Sequence, residues 1–77
     1  MMVRLSELRP GQVGIVQRIE ADDALRLRLM EMGLLRGERV RVLKYAPLGD
    51  PIELEVGLYH LSLRRREAET ILVEMEP

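Results

Sequence analysis

The sequence has no cysteine, tryptophan or phenylalanine. Without cysteine, neither a disulfide framework nor a thiolate zinc or iron–sulfur site can form, which removes the two commonest staples of small folds. Only Tyr45 and Tyr59 are aromatic, so the stacking platform usual in single-strand nucleic-acid binders is missing. No apolar stretch approaches the roughly 20 residues of a membrane-spanning helix, and the opening MMVRLSELRPG lacks the apolar run of a signal peptide. Neither sign of charge dominates: twelve basic and thirteen acidic residues give a formal net charge of −1, too weak a field to gather nucleic acid non-specifically. These absences describe a soluble, cytoplasmic protein whose stability must come from packing or from partners.

Seventy-seven residues make one domain, 1–77, and a chain of this size buries only about 60% of its unfolded surface. In LSELRPGQVGIV, Ser6 is placed to cap a single helical turn, and Pro10-Gly11 turns the chain. The run from Gln12 to Ile19 alternates as a strand, with Val13, Ile15 and Ile19 on one face, Gln17 as the exception, and Gly14 marking a bend or a close backbone contact. ADDALRLRLMEMG fits both periods: Leu25, Leu27 and Leu29 alternate, while Leu25, Leu29 and Met32 form a helical stripe. Strong helix formers without a β-branched residue, preceded by Asp22 and Asp23, decide for a helix over Asp23 to Met32.

Beyond Gly37, ERVRVLKY reads as a strand with Val40 and Val42 on one face. The connection APLGDP is too long for a tight hairpin, and IELEV then alternates without fault, Ile52, Leu54 and Val56 inward. Gly57 marks a turn or bulge, and LYHLSL resumes with Tyr59, Leu61 and Leu63 inward. RRREAE reads as one exposed helical turn, and TILVEM supplies the last strand through Ile71 and Val73. The pattern predicts a mainly β fold of five strands. One helix lies between the first two strands and a helical turn precedes the last. A small, strongly bent SH3-like barrel suits so few residues because closure removes exposed edges; the runner-up is an open sheet covered by the helix.

Catalytic chemistry finds little footing. His60, the one histidine, falls on an outward strand face, and Ser6, Ser62 and Thr70 lie in no activating context. Glu53 and Glu55 share that outward character, where carboxylates ordinarily meet water. His60 with Glu53 or Glu55 is at best a weak trap for a divalent ion. Met30 and Met32 point about 200° apart on a helix, so both read as core packing. No cofactor and no metal centre is expected.

The pair Gly33 and Gly37 invites comparison with a phosphate cradle, yet P-loop spacing is absent and Gly33 stands at the partly negative end of its helix. A corner suits it better: Gly33 as the left-handed cap, Leu34 packing back on Leu29 beside Met32, and Gly37 releasing the next strand. Leu35 and Arg36 then occupy the tip. The cationic run Arg64 to Arg66 is followed by Glu67 and Glu69 and reads as a solvated turn.

Taken together, the helix ending Glu31-Met32-Gly33-Leu34, Gly37 before a strand, Ala46-Pro47 with Gly49-Asp50-Pro51, and Leu61 to Ala68 followed by Ile71 and Val73 give a chain that resembles the ferrous iron transport protein A family, FeoA, over essentially its whole length. Arg36 departs from it, since the family often has a stiffer proline there. The resemblance implies a cytosolic SH3-like barrel, an accessory of the membrane ferrous iron transporter FeoB with its cytosolic GTP-binding part, reaching the membrane's inner face only through that partner. The same barrel looks like the C-terminal domain of iron-dependent repressors of the diphtheria toxin repressor type, but this chain has no helix-turn-helix and would not be such a repressor. Leu34, Leu35, Arg36, Pro47, Leu48 and Pro51, apolar or cationic residues spent on two connections, are the expected contact anchors. Two alternatives stay open: a nucleic-acid surface formed by Arg39, Arg41 and Arg64 to Arg66, and a metal-responsive module. Self-association is left open too.

Overall fold

The computed structural model, which describes residues 1–77, resolves the ambiguous leucine–arginine segment as helix α1, Asp23–Glu31. Asp22 caps it, its Oδ1 accepting the Leu25 N–H at 2.9 Å. The helical stripe decides what is buried: Leu29 is fully enclosed, Leu25 and Met32 pack beside it, and Leu27 is left exposed. Met30 does not join the core, since it lies off that stripe and is 42% exposed.

Six strands form one antiparallel sheet: β1 Met2–Arg4, β2 Val13–Ile19, β3 Arg39–Tyr45, β4 Ile52–Val56, β5 Tyr59–Leu63 and β6 Ile71–Met75, in the order β1-β6-β2-β3-β4-β5. The sequence pattern yields only five, because β1 is three residues long and is made by pairing Val3 with Val73 of β6 rather than by any periodicity of its own. On β3 and β4 the expected faces hold: Val40, Val42, Ile52, Leu54 and Val56 line the core.

Three other expectations change. On β2 the inward residues are Gly14 and Val16, not Val13 and Ile15. The register against β6 shifts between Val16 and Arg18, so Gln17 is an inserted residue that reverses parity and returns Ile19 to the core. Gly14 does mark a close approach: a Cβ there would stand 2.7 Å from Cγ2 of Val73. Tyr59 is 76% exposed, because it closes the β4–β5 hairpin on the outermost strand, where no further layer covers it. Finally RRREAE is not an exposed turn. It forms helix α2, Arg65–Ala68, whose Ala68 and Glu67 are buried.

The ladder does not close, leaving β1 and β5 as edges. The gap is filled instead by the single helical turn Leu5–Glu7, which sends Leu5 and Leu8 into the core, and by α2. That turn is capped by Glu7 accepting the Arg4 N–H at 2.7 Å; Ser6, expected as the cap, is buried within it. Arg65 ties these parts together. Its Nη1 donates to the Ser6 carbonyl at 3.0 Å, its Nε to the Gly49 carbonyl at 3.0 Å, and its guanidinium lies 4.9 Å from the Tyr45 ring centre. The Tyr45 hydroxyl in turn donates to the Leu8 carbonyl. The result is a small, bent, barrel-like sheet sealed by side chains where hydrogen bonding stops.

Candidate partner-docking site

The corner after α1 is built as its glycines suggest. Gly33 has φ +99°, its N–H donates to the Met30 carbonyl at 3.0 Å, and the Leu34 N–H donates to the Leu29 carbonyl at 3.2 Å, the paired bonds of a Schellman cap. Leu34 and Leu29 are both fully buried. The Leu35 carbonyl accepts the Glu38 N–H at 3.0 Å, completing a turn around Arg36 and Gly37. Gly37, at φ +93°, donates to the Val16 carbonyl at 2.8 Å, and Val16 donates to the Glu38 carbonyl at 2.9 Å. The corner is thus hung on β2 immediately before its inserted residue.

Between the corner, α1 and the end of β2 runs an open groove of about 420 Å³. Val16, Ile19, Met30 and Leu34 give it an apolar floor, and Arg18, Arg26 and Arg36 stand around it with Gln17. Two of these cations have local partners, Arg18 with Glu20 at 2.7 Å and Arg26 with Asp23 at 2.6 Å. Arg4 and Arg18, hydrogen-bonded to the Glu20 carboxylate, hold its pKa below the usual glutamate range. Arg36 is exposed and has no carboxylate within ion-pair distance.

Of the expected anchors, Leu34 is floor rather than contact surface, since none of it is exposed. Leu35 is 43% exposed beside Arg36. Pro47, Leu48 and Pro51 belong to a different feature: Pro47–Gly49 forms a single helical turn with Leu48 at φ +69° and wholly exposed, while half-buried Pro51 borders a shallow depression with Arg28, Met32 and Arg64. No groove includes residues of both sets. Arg18 and Arg26 were not singled out in the sequence, and Met30 was read there as core packing. The one trace of their groove was Gln17 interrupting the alternation of β2.

The weak metal candidates separate. His60 Nε2 lies 3.3 Å from Glu55 Oε2 across the β4–β5 pair, whereas Glu53 faces Lys44 at 3.7 Å, and no third histidine or carboxylate joins either. The arginines of the nucleic-acid alternative are also dispersed. Arg39 grips Glu76 through Nε and Nη2 at 2.7 and 2.9 Å, which raises its own pKa and holds that of Glu76 below the usual glutamate range. Arg41 stands 3.7 Å from Glu55, and Arg65 is spent on closing the barrel.

Comparison with known proteins agrees with this architecture. Over 73 residues, 95% of this chain, it is 40% identical to the Fe(2+) transport protein A/Fe(2+) transporter FeoB fusion protein of Porphyromonas gingivalis, of which it spans 9%. FeoA from Chlorobium tepidum has 45% identity and a TM-score of 0.90, over 97% of this chain and 71% of that one. FeoA from Stenotrophomonas maltophilia, an SH3 domain protein solved with zinc, has 34% identity and a TM-score of 0.82, over 99% of this chain and 95% of that one. The fold is therefore SH3-like, as the strand pattern led us to expect. With residues 3–75 matching the FeoA domain, the chain belongs to the FeoA family of ferrous iron transport proteins.

Proposed function

We propose that this chain is a cytoplasmic accessory protein of ferrous iron uptake that docks on the cytosolic, GTP-binding part of a FeoB-type transporter and modulates it, carrying neither iron nor nucleotide chemistry itself. The observation that supports this most is the Porphyromonas gingivalis protein, in which a relative and the transporter are one polypeptide. Fusion holds two modules at high effective concentration, an arrangement useful to partners that must meet repeatedly. No helix here is long and apolar enough to cross a membrane, so membrane association would run through the partner.

The groove beside the corner supplies the surface. Its apolar floor under three arginines suits an acidic, amphipathic segment, apolar side chains against Ile19 and Met30 and carboxylates meeting Arg36. Purified full-length chain titrated with the transporter's cytosolic region, with and without guanine nucleotide, tests the reading. Association is expected, and Arg36→Glu should weaken it at least about tenfold. No association under either condition would sink it.

One observation favours a second reading, a metal-responsive module: the Stenotrophomonas relative was solved with zinc. Here Glu55 and His60 make only a two-donor pair. A stoichiometric zinc site abolished by His60→Ala would favour that role, and a titration without one would leave docking alone.

A further inference from the structure

The two edges of the sheet are treated differently. β1 is three residues long and carries Arg4, paired with Glu20 at 2.6 Å, so it is both short and charged. β5, the sequence YHLSL, has five residues in unbroken register with β4 and contains no lysine, arginine, aspartate, glutamate, proline or bulge. Charge, proline and bulge, the protections an edge strand carries in its own sequence, are missing from it.

We propose that β5 is a self-association edge, at which two copies of this chain pair antiparallel about Leu61. The backbone is free to do so. Gly57 and Leu58 form a two-residue turn with φ +57° at the glycine, closing Val56 onto Tyr59. In such a turn the closing pair is hydrogen-bonded, so Tyr59, Leu61 and Leu63 bond to β4, and the N–H and C=O groups of His60 and Ser62 turn outward. No backbone bond from β5 reaches anything but β4.

A second copy fits because the strand is complementary to itself. A two-fold axis at Leu61 sets His60 opposite the second copy's Ser62, and each pair exchanges two backbone hydrogen bonds. Leu61 meets Leu61, and Tyr59, otherwise 76% exposed, gains the second copy's Leu63 as its cross-strand neighbour. No like charges are brought together along the strand. On β4 the same operation would stack Glu53 on Glu55. The axis lies on the sheet edge beyond β4, whereas the groove lies between β2 and α1, so pairing leaves the groove's own residues untouched.

Sedimentation equilibrium of the full chain across micromolar to millimolar concentrations, with amide hydrogen exchange at the two ends of that range, tests the proposal. A monomer–dimer equilibrium is expected, with the His60 and Ser62 amides exchanging more slowly as concentration rises. The double variant His60→Lys, Ser62→Lys opposes lysine to lysine across the axis while leaving both side chains exposed near Glu55 and Glu53. It should raise the dimer dissociation constant at least about tenfold with unchanged thermal stability of the monomer. A chain monomeric throughout, a dimer indifferent to the lysines, or concentration-dependent protection at β1 instead would overturn the proposal.

Discussion

Replacing Arg65 tests how the barrel is held shut. The side chain donates two charge-assisted hydrogen bonds, to Ser6 and Gly49, and lies over the Tyr45 ring. Bonds of this kind contribute about 1.5–3 kcal/mol each and the ring contact about 0.5–1 kcal/mol. Arg65 is only half-buried, so part of this is returned by water after truncation; Ser6 is buried, so the loss of its partner is felt. Arg65→Ala should therefore cost about 2–4 kcal/mol, a fall in Tm of roughly 10–25 °C for a domain this small. Arg65→Lys keeps the charge but cannot reach both carbonyls with a fixed fork, and should lose about half as much. Arg66, exposed and unpaired on the same helix, is the control: Arg66→Ala should stay within about 0.5 kcal/mol of the parent. Urea unfolding monitored by far-ultraviolet circular dichroism measures all three. If Arg65→Ala matched Arg66→Ala, the edges would be held by the apolar packing of Leu5, Leu8 and Ala68 alone, and Arg65 would have no part in the closure.

Gly33→Ala meets no atom within 4 Å but must hold φ +99°, so its cost is conformational, about 1–2 kcal/mol; thermal unfolding showing no change would refute the cap. Gly14→Ala fails for the opposite reason, crowding Val73 at 2.7 Å. It should cost about 1–3 kcal/mol, and Val73→Ala in the same chain should make the combined loss smaller than the sum of the two, a non-additivity a double-mutant cycle would reveal. Acid should weaken the fold through Glu20 and Glu76, whose pKa values lie below the usual range in the native state because of Arg4 and Arg39. A carboxylate held low in the fold contributes stability that is complete above its unfolded value, about 4.3, and is lost as pH falls through the folded value. Stability should accordingly be level above about pH 5 and decline below it, and Glu76→Gln should flatten that decline; greater stability on acidification would contradict it.

What could be read from the sequence, and what could not, divides along the range of the interactions involved. The α1 corner depends on neighbours a few residues apart, so Asp22, Leu29, Gly33 and Leu34 announced it, and the structure has the cap and the buried leucines where the spacing put them. β3 and β4 alternate because each has one wet face and one dry face. β1 has no such signal, being a strand only by virtue of β6, which is nearly the whole chain away. The inserted Gln17 hid the true face of β2, because a period of two cannot survive one extra residue, and with that face went the groove that Val16 and Ile19 floor from opposite sides of the insertion. Arg65 was obscured by its company. Between Arg64 and Arg66 it looks like one more solvated charge, and only the arrival of Ser6, Tyr45 and Gly49 from three distant segments makes it a closure. The expected anchors split into two sets for the same physical reason. Leu35 and Arg36 are placed by a local cap, Pro47 to Pro51 by a separate turn pinned through Arg65, and nothing in their spacing along the chain relates one turn to the other. If docking uses the groove, a charge reversal at Arg36 should weaken it while Leu48→Ser leaves it intact.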